Sequence, residues 1–169
     1  MIRLERLRAD HADALLAFER QNRAYFARFV PDRGAAYFAD FAARHRALLA
    51  EQDTGVCHFH VVLVGGGAEG GHDEVCGRVN LVDAAAGSAE LGYRIGERAA
   101  GRGLATAAVA EVCRLAAGPY GLSVLTAVAA VDNPASRAVL TRNGFTETGR
   151  TTVDARPAVT YARQLVPGP

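Results

Sequence analysis

The sequence predicts a fold of the α/β (α+β) class, with a single mixed, mostly antiparallel β-sheet of about seven strands flanked by about four helices. Apolar residues recur at helical spacing in the first part of the chain and alternate with a period of two from Val56 onwards, so helices give way to strands there. The stretch YRIGERAAGRGLATAAVAEVC, residues 93–113, then carries a strand through a glycine-rich bend into an amphipathic helix. A helix that connects two strands of one sheet makes those strands parallel, so the sheet is mixed.

The first third of the chain predicts a short strand and two helices. Residues 2–8 alternate apolar and charged side chains, which indicates an opening strand, and Asp10 follows as a candidate helix N-cap. Residues 12–28 and 35–52 carry apolar side chains at helical spacing, with a proline and a glycine between the two ranges. We therefore expect one helix over each range.

The middle of the chain predicts an antiparallel meander followed by a helix. Apolar stretches with a period of two, joined by short loops, occupy residues 56–64, 74–83 and 89–95. After the glycine bend, an apolar stripe at helical spacing predicts a helix that begins at Leu104 and stops at Gly118.

The last part of the chain predicts one central strand, a short helix and two closing strands. Residues 122–131 are nearly all apolar, as in a strand that is covered on both faces. Asn133 is a good N-cap, Pro134 suits the first helical position, and Gly144 suits a left-handed C-cap. The closing strands are expected at residues 145–153 and 158–166.

Length and composition indicate an ordinary soluble protein. The 169 residues are expected to form one domain, residues 1–169. A formal net charge of +1 gives no electrostatic reason for a nucleic-acid or membrane partner. Three cysteines without a C-x-x-C pair argue against a secreted disulfide framework, and the opening residues lack the apolar core of a signal peptide. We therefore expect a cytoplasmic protein, monomeric or homodimeric, that binds neither nucleic acid nor membrane.

The glycine bend presents backbone, rather than side chains, where a strand meets a helix. A helix begins with about four N–H groups that have no partner and with a partial positive charge, so a bend without bulky side chains lets an anion, usually a phosphate, sit on the backbone. An alternative is that Gly101 and Gly103 only permit tight packing or a left-handed turn. The glycines alone leave both interpretations open.

Two known phosphate-binding loops share this architecture, and neither fits. In a G-x-x-x-x-G-K-[ST] loop, Arg102 and Gly103 would replace the lysine and the hydroxyl residue that binds the metal. In a dinucleotide fingerprint, Thr106 stands where the third small residue belongs, and the helix follows an antiparallel meander instead of opening the chain.

A wider pattern around the bend matches a known family. Arg98-x-x-Gly101-x-Gly103-Leu104-Ala105 is followed by Asn133-x-x-Ser136 and by Gly144-Phe145. This arrangement resembles the GNAT superfamily of acyl-CoA-dependent N-acetyltransferases. The stretches AELGYRIGERAAGRGLATAAV and NPASRAVLTRNGFTETG resemble its RimJ/RimL branch, the ribosomal-protein N-terminal acetyltransferases and their relatives.

The resemblance implies the acyl-CoA N-acyltransferase fold, whose sheet splays between the strands at 89–95 and 122–131. It also implies that the pyrophosphate of acetyl-CoA lies on the N–H groups of residues 98–106, and that the pantetheine arm runs into the gap between those strands. The residues it implies for binding acetyl-CoA are Tyr93, Arg94, Ile95, Arg98, Gly101, Arg102, Gly103, Leu104, Ala105, Thr106, Asn133 and Ser136.

The implied activity is transfer of an acetyl group to a primary amine that attacks the thioester directly. The family places the oxyanion donor on backbone near Tyr93 or Arg94. Glu90 is the favoured general base, although its position also suits an exposed carboxylate paired with an arginine. Glu147 and Asp83 are reserves for that role.

The group that would assist the departing thiol is less clear from the sequence. Many GNAT enzymes carry a tyrosine seven residues after the motif asparagine, and Leu140 occupies that position here. The RimJ/RimL branch offers a serine instead, which is Ser136. A serine in a first helical turn after the N-cap Asn133 is also common for purely structural reasons, and both roles stay open.

The acceptor amine is not defined by any motif. Deprotonating an amine at pH 7 costs about 1.4 kcal/mol for each unit by which its pKa exceeds 7. The cost is roughly 1 to 1.5 kcal/mol for an α-amine and about 4.6 kcal/mol for a lysine. A site without an obvious strong base therefore suits an α-amino group. Peptide or protein N-termini are therefore favoured over lysines, and small amines stay possible. The aromatic residues that could line an acceptor pocket or pack in the core are Phe26, Phe29, Tyr37 and Phe38.

Two other interpretations remain. The missing tyrosine is consistent with a non-catalytic domain that binds acyl-CoA as a sensor or partner module. His58 and His60, with His72 and Cys76 nearby in sequence, could suggest zinc, but four ligands would have to converge across a flexible glycine loop. We expect acetyl-CoA and an amine acceptor as the partners, and no metal.

Overall fold

A computed structural model describes residues 1–65 and 73–166 of the chain. Within these residues it contains one seven-stranded sheet, with the strand order β1-β2-β3-β4-β5-β7-β6. The strands are β1 (Ile2–Arg6), β2 (His58–Val64), β3 (Glu74–Ala85), β4 (Ser88–Ile95), β5 (Val124–Ala130), β6 (Thr146–Val153) and β7 (Arg156–Gln164). The helices are α1 (Ala12–Gln21), α2 (Arg23–Phe26), α3 (Ala35–Ala39), α4 (Phe41–Asp53), α5 (Leu104–Ala117) and α6 (Pro134–Arg142).

The predicted fold class is confirmed. Every strand pair is antiparallel except β4 with β5, which is parallel because α5 connects the two strands. None of the helices in the described part of the chain combines the length and the apolar character needed to span a bilayer. Cys57, Cys76 and Cys113 are buried and free.

The first part of the chain corrects two helix predictions. Each predicted helix, 12–28 and 35–52, is broken, the first at Asn22 and the second at Asp40. The side chain of Asn22 donates to the Phe18 carbonyl at 2.9 Å and accepts from the N–H of Glu97 at 2.9 Å, so this residue joins the helix to the glycine bend. A residue whose amide competes with the helical backbone in this way ends the helix.

The predicted N-cap Asp10 is also corrected. The helix begins at Ala12 after a short 3₁₀ turn, Ala9–His11, and Asp10 lies inside that turn. Its carboxylate accepts from the guanidinium of Arg8 at 3.0 Å. At the other end of the chain, Asn133, Pro134 and the left-handed Gly144 occupy the predicted cap positions of α6.

The helices cover the two faces of the sheet separately. Helices α5 and α6 pack on one face, in a cluster of buried aliphatic residues that includes Val109, Leu125 and Leu140. Helices α1–α4 cover the other face, where Leu15 and Phe41 belong to the buried cluster. Successive residues of a strand point to opposite faces, so each face of β4 contributes to a different surface.

Strands β4 and β5 separate halfway along their length. Their parallel pairing runs from Ser88 opposite Val124 to Leu91 opposite Ala127. Beyond that point β4 continues to Ile95, paired with β3, while β5 continues to Ala130, paired with β7. The sheet therefore splays where the family resemblance implies, and one edge of β4 has no strand beside it within the described residues.

A glycine in β3 holds the end of β4 on its own side of the gap. Gly77 lies opposite Ile95, and a Cβ atom at Gly77 would come within 2.5 Å of the Ile95 Cδ1 and 2.8 Å of the Arg94 carbonyl oxygen. Only glycine permits this approach. The end of β4 therefore packs onto β3 as it leaves β5.

A buried carboxylate fastens α1 to the sheet. Glu19 is 1% exposed, and its two carboxylate oxygens accept from Arg78 of β3 at 3.1 Å and from Arg94 of β4 at 3.2 Å. Arg33 lies 3.7 Å from the same carboxylate, and the Arg78 guanidinium also donates to the Tyr37 hydroxyl at 3.4 Å. These five residues are called the Glu19 cluster below.

On the opposite face, β2 is joined to the loop after α5 through a histidine. The Nδ1 of His60 donates to the Val79 carbonyl at 3.1 Å, which leaves the neutral Nε2 to accept from the Tyr120 hydroxyl at 2.6 Å. The His58 ring stacks on the Tyr120 ring at 3.8 Å between centroids. Burial lowers the pKa of His60 from 6.5 to about 4.

The Glu19 cluster makes a prediction about stability. Within the described residues, Glu19 is the one carboxylate paired with these three arginines. The change Glu19→Gln leaves buried and partly buried positive charges without it, so we expect the free energy of unfolding to fall by about 3 kcal/mol. Urea denaturation measures it. The control is Glu111→Gln, which breaks an ion pair with Arg114 whose side chains are 38% and 65% exposed. It should cost less than about 1 kcal/mol, and equal losses in the two variants would contradict the role of burial.

His60 makes a second prediction, on pH. Between pH 6.5 and about 4, the unfolded chain binds a proton at this histidine and the folded protein does not. The unfolding free energy should therefore fall as the pH falls through this range, by an amount on the order of 3 kcal/mol. In His60→Gln the unfolding free energy should depend less steeply on pH between 6.5 and 4, as followed by denaturation at several pH values. An unchanged slope would show that another group controls this pH range.

Candidate active site

A cavity of about 470 Å³ lies beside the free edge of β4. This is the size of a small-molecule site. Its walls come from the end of β4, from the glycine bend and the first turn of α5, from α6, and from the segment that follows α1. The residues that line it are Tyr25, Phe26, Phe29, Val30, Tyr93, Arg94, Ile95, Ala99, Ala100, Gly101, Gly103, Leu104, Ala105, Thr106, Asn133, Ala135, Ser136, Ala138, Val139 and Arg142.

The structure narrows the alternatives for the two glycines of the bend: it excludes tight packing and shows the left-handed turn. Gly101 and Gly103 have φ values of +72° and +75°, a left-handed conformation that other residues rarely adopt. A Cβ atom at either position would meet no other atom within 4 Å. Tight packing is therefore not the reason for these glycines. They allow a left-handed backbone next to open space.

The first turn of α5 lines that space with backbone N–H groups that have no partner among the described residues. The N-cap residue is Gly103, which has no side chain to cap the helix, and the first turn contains no acidic residue. The N–H of Ala107 donates to the Gly103 carbonyl at 3.0 Å. The N–H groups of Leu104, Ala105 and Thr106 precede this bond, and all three residues line the cavity. This end of the helix suits an anion.

Tyr93 and Ser136 meet inside the cavity. The Tyr93 hydroxyl lies 2.9 Å from the Ser136 Oγ and also donates to the Ser136 carbonyl at 3.2 Å. Burial raises the pKa of Tyr93 above its usual value of 10, so the phenol stays protonated at neutral pH. The Asn133 side chain accepts from the Ser136 N–H at 3.1 Å, which makes Asn133 the cap of α6. The cap and a ligand-binding role are compatible for Asn133.

Most of the residues implied for binding acetyl-CoA line this cavity, but Arg98 and Arg102 do not. Both arginines are exposed on the bend. Leu140 is 1% exposed and packs in the α5–α6 core, so the side chain at this position does not line the cavity.

The structure does not bring the predicted base into the cavity. Glu90 is exposed, lies opposite Val82 and Thr126 in the sheet, and is not among the lining residues of the described chain. It shares the α1–α4 face of β4 with Arg94, as its alternation predicts. Of the reserves, Glu147 pairs with Arg137 at 3.1 Å and Asp83 is exposed with a φ of 54°.

Sequence reasoning missed several residues of the site. Tyr25 lines the cavity and stacks edge-on against Phe29, with 5.2 Å between ring centroids. The expected aromatics Phe26 and Phe29 line it too, whereas Phe38 lines a smaller adjoining pocket and Tyr37 is buried. The contact of Tyr93 with Ser136, 43 residues apart, and the Glu19 cluster left no local signal, because both depend on how distant elements approach.

The histidines considered for zinc have other partners. Both ring nitrogens of His60 are hydrogen-bonded within the protein, and the His58 ring stacks on Tyr120. Among residues 1–65 and 73–166, no three histidine, cysteine or acidic side chains are grouped so that they could hold a metal ion. His72 lies outside the described residues.

Comparison with solved structures places this fold among acetyltransferases. The ribosomal-protein-S5-alanine acetyltransferase from Vibrio fischeri superposes with a TM-score of 0.87 at 16% identity, over 97% of this chain and 93% of that one. RimJ from Mycobacterium smegmatis, solved with CoA-disulfide, gives 0.83 at 24% identity, over 96% and 81%. MccE, a microcin C7 self-immunity acetyltransferase solved with acetyl-CoA and AMP, gives 0.77 at 19% identity, over 96% and 92%. These likenesses show a common fold and agree with the RimJ/RimL resemblance.

Sequence comparison identifies the family itself. No curated protein matches the sequence. A family profile described as an acetyltransferase (GNAT) domain matches residues 2–146, which is most of the chain and includes the cavity walls, the glycine bend and α6. The chain therefore belongs to the GNAT acetyltransferase family and is an acyltransferase.

Proposed function

We propose that this protein transfers the acetyl group of acetyl-CoA to a primary amine, with the α-amine of a peptide or protein as the favoured acceptor. The observation that carries the proposal is that one cavity joins the free edge of β4 to the uncapped start of α5. The free edge of β4 suits an amide-rich arm, and the uncapped start of α5 suits a diphosphate. Acetyl-CoA carries both groups in one molecule.

The bend and β4 would bind different parts of acetyl-CoA. Gly101, Gly103 and the first turn of α5 line the cavity, and their N–H groups are the proposed donors for the pyrophosphate. In the part of the chain that the structure describes, the backbone of residues 92–95 has no strand on the β5 side, so pantetheine amides can pair with it as an added strand. Exposed Arg98 and Arg102 remain proposed contacts for phosphate oxygens outside the cavity.

The reaction needs a neutral amine, a donor for the oxyanion and a proton for the sulfur. The amine nitrogen attacks the thioester carbon, the carbon–sulfur bond breaks, and the nitrogen loses one proton as the sulfur gains one. Unpaired N–H groups near Tyr93 and Arg94 are the proposed oxyanion donors. Tyr93, a protonated phenol bonded to Ser136, is the proposed source of the proton, delivered directly or through the Ser136 hydroxyl.

The acceptor type follows from the carboxylates near the cavity. Glu19 borders the adjoining pocket but is held by arginines, and Glu90 is exposed. Glu90 remains our proposed base, acting with water at the acceptor side of β4. A site with such a weak base favours an amine that is partly neutral at pH 7, and an α-amine costs about 3 kcal/mol less to deprotonate than a lysine.

The competing proposal is a module that binds acyl-CoA without chemistry. It is favoured by the absence of a tyrosine at position 140, where Leu140 packs in the core. Tyr93 supplies a phenol from a different element, which favours catalysis. An acceptor screen with N-terminal peptides, polyamines and aminoglycosides, read by release of free thiol, separates the two. CoA binding without turnover on any amine would support the module.

Two further proposals concern the protein as a whole. We propose that residues 1–169 form a single domain, since the GNAT profile covers residues 2–146 and one sheet includes strands from both ends of the chain. Location in the cytoplasm also stays a proposal, which is supported by three buried, unpaired cysteines.

The glycine bend makes a prediction about cofactor affinity. The change Gly103→Ala places a methyl group in the open space at the start of α5 and strains a left-handed residue. We expect the dissociation constant for CoA, measured by isothermal titration calorimetry, to rise by about tenfold or more. Gly121→Ala is the control, because Gly121 also has a positive φ, +61°, and open space around its Cβ position, but lies outside the cavity. Equal affinity in the two variants would contradict binding at the bend.

The Tyr93–Ser136 pair makes a prediction about turnover. In Tyr93→Phe and in Ser136→Ala we expect kcat to fall by about 10²-fold while the KM for acetyl-CoA changes little, because the proton donor acts on the leaving sulfur. Steady-state kinetics with thiol detection measures both constants. Tyr120→Phe is the control, since it also removes a hydrogen-bonded phenol hydroxyl, on the same face of the sheet but away from the cavity. Normal kcat in both site variants would exclude this proton route.

A further inference from the structure

The Glu19 cluster contains more positive than negative charge. Arg33, Arg78 and Arg94 surround the single carboxylate of Glu19, and within residues 1–65 and 73–166 none of the three arginines forms an ion pair with a second carboxylate. Tyr37, the fifth member, contributes only a hydroxyl. Two positive charges of this partly buried cluster are therefore not compensated.

Nearby side chains do not remove this surplus. Asp32 is next in sequence to Arg33, but its carboxylate pairs with Arg23 at 2.7 Å, and that ion pair has no net charge. Burial lowers the pKa of Arg94, and the charges of Arg33 and Arg78 lower it further, while Glu19 opposes them. One arginine is enough to pair with the Glu19 carboxylate and fasten α1 to the sheet. The other two arginines therefore suggest a second anionic partner.

The surplus charge is accessible from the acetyl-transfer cavity. The side chain of Arg94 is 23% exposed and that of Arg33 is 35% exposed, whereas Arg78 is 7% exposed. Arg94 lines the cavity and also the small adjoining pocket that Arg33 and Glu19 line. That pocket, about 10 Å³, has room for no more than one water molecule and is also lined by Arg23 and Asp32. An anion would therefore lie in the larger cavity against Arg94, next to the pocket that Arg33 lines.

The position of Arg94 indicates which reactant the anion belongs to. Arg94 follows Tyr93 in β4, so their Cα atoms are about 3.8 Å apart and their side chains point to opposite faces of the sheet. Tyr93 faces α6 and the glycine bend, on the side of the proposed diphosphate site. Arg94 faces α1–α4 and lies over the Phe26 ring at 4.6 Å. The anion therefore lies on the α1–α4 face, opposite the proposed diphosphate site, and we assign it to the acceptor.

We propose that Arg33 and Arg94 bind a carboxylate of the acceptor, so that this enzyme acetylates amines carrying a carboxylate close to the reactive nitrogen. The inference rests on the proposed function and names the class of its acceptor. Guanidinium groups are strong partners for carboxylates, Arg33 and Arg94 line the same pocket beside the cavity, and Arg94 is held by Glu19 and the Phe26 ring. The carboxylate comes from an acidic side chain near a peptide N-terminus or from the α-carboxylate of a free amino acid.

The test compares acceptors with and without this carboxylate, at equal concentrations of the neutral amine. Peptides with Asp at position 2, 3 or 4 are paired with the same peptides carrying Asn, and free amino acids are paired with their amides. We expect kcat/KM of the wild-type protein to be about ten- to hundredfold higher for the acidic member of at least one pair, which also identifies the source of the carboxylate. Equal values across all pairs would overturn the proposal.

A variant tests the arginines directly. Arg33→Gln removes the most exposed arginine of the cluster, whose contact with Glu19 is long, so the fold should be retained. We expect the preference for the acidic acceptor to collapse to about onefold, with the affinity for CoA unchanged. The control is Arg44→Gln, which removes another exposed arginine near the cluster. Arg44 lies over the Tyr37 ring at 5.6 Å, and among the described residues it has no contact with Glu19. It should keep the wild-type preference.

The outcomes separate this proposal from the proposed function. If no amine is acetylated although CoA binds, the acetyltransferase proposal fails. If amines are acetylated without any preference for a carboxylate, or if Arg33→Gln lowers turnover of acidic and amide acceptors equally, only the carboxylate site fails. A loss of CoA affinity in Arg33→Gln would instead assign the cluster to a phosphate of the cofactor and would also overturn the proposal.

Discussion

The separation of β4 from β5 after Leu91 is the constraint on which the rest of the site depends. Up to that residue the two strands form an ordinary parallel pair, and beyond it β4 stays with β3 while β5 stays with β7. The close approach of Gly77 to the end of β4, and the hydrogen bond from the Glu97 N–H to the Asn22 side chain, both keep the end of β4 beside β3 and away from β5. A strand edge without a partner leaves backbone N–H and C=O groups available, so a ligand that pairs with them stabilises the arrangement.

The gap also connects the two faces of a sheet that otherwise separates them. On the α5–α6 face the molecule offers mostly backbone: two left-handed glycines and the first N–H groups of a helix. On the α1–α4 face it offers charge, in the form of arginines around Glu19. A reaction between two ligands that enter from opposite faces can take place only at the free edge of β4, which borders both.

Much of the fold and half of the site could be predicted from the sequence, because the relevant signals are local. Alternation of period two identified the strands, and Asn133, Pro134 and Gly144 marked both ends of α6. The glycine bend could be recognised in the sequence, where its residues match neither the G-x-x-x-x-G-K-[ST] loop nor the dinucleotide fingerprint. The helix breaks at Asn22 and Asp40 were missed because apolar spacing continues across them, and the bond between Asn22 and Glu97 joins residues that lie far apart in the chain.

The sequence by itself determined the order of the elements, the glycine bend and the family, since each of these depends on residues that are close together in the chain. Only the tertiary structure decided that Tyr93 reaches Ser136, that Glu90 is exposed and does not line the cavity, and that three arginines share Glu19. The physical reason is that hydrogen bonds and ion pairs act over a few ångströms in space. Which side chains come within that distance is fixed by the packing of helices on the two faces of the sheet, and no local pattern of residues encodes it.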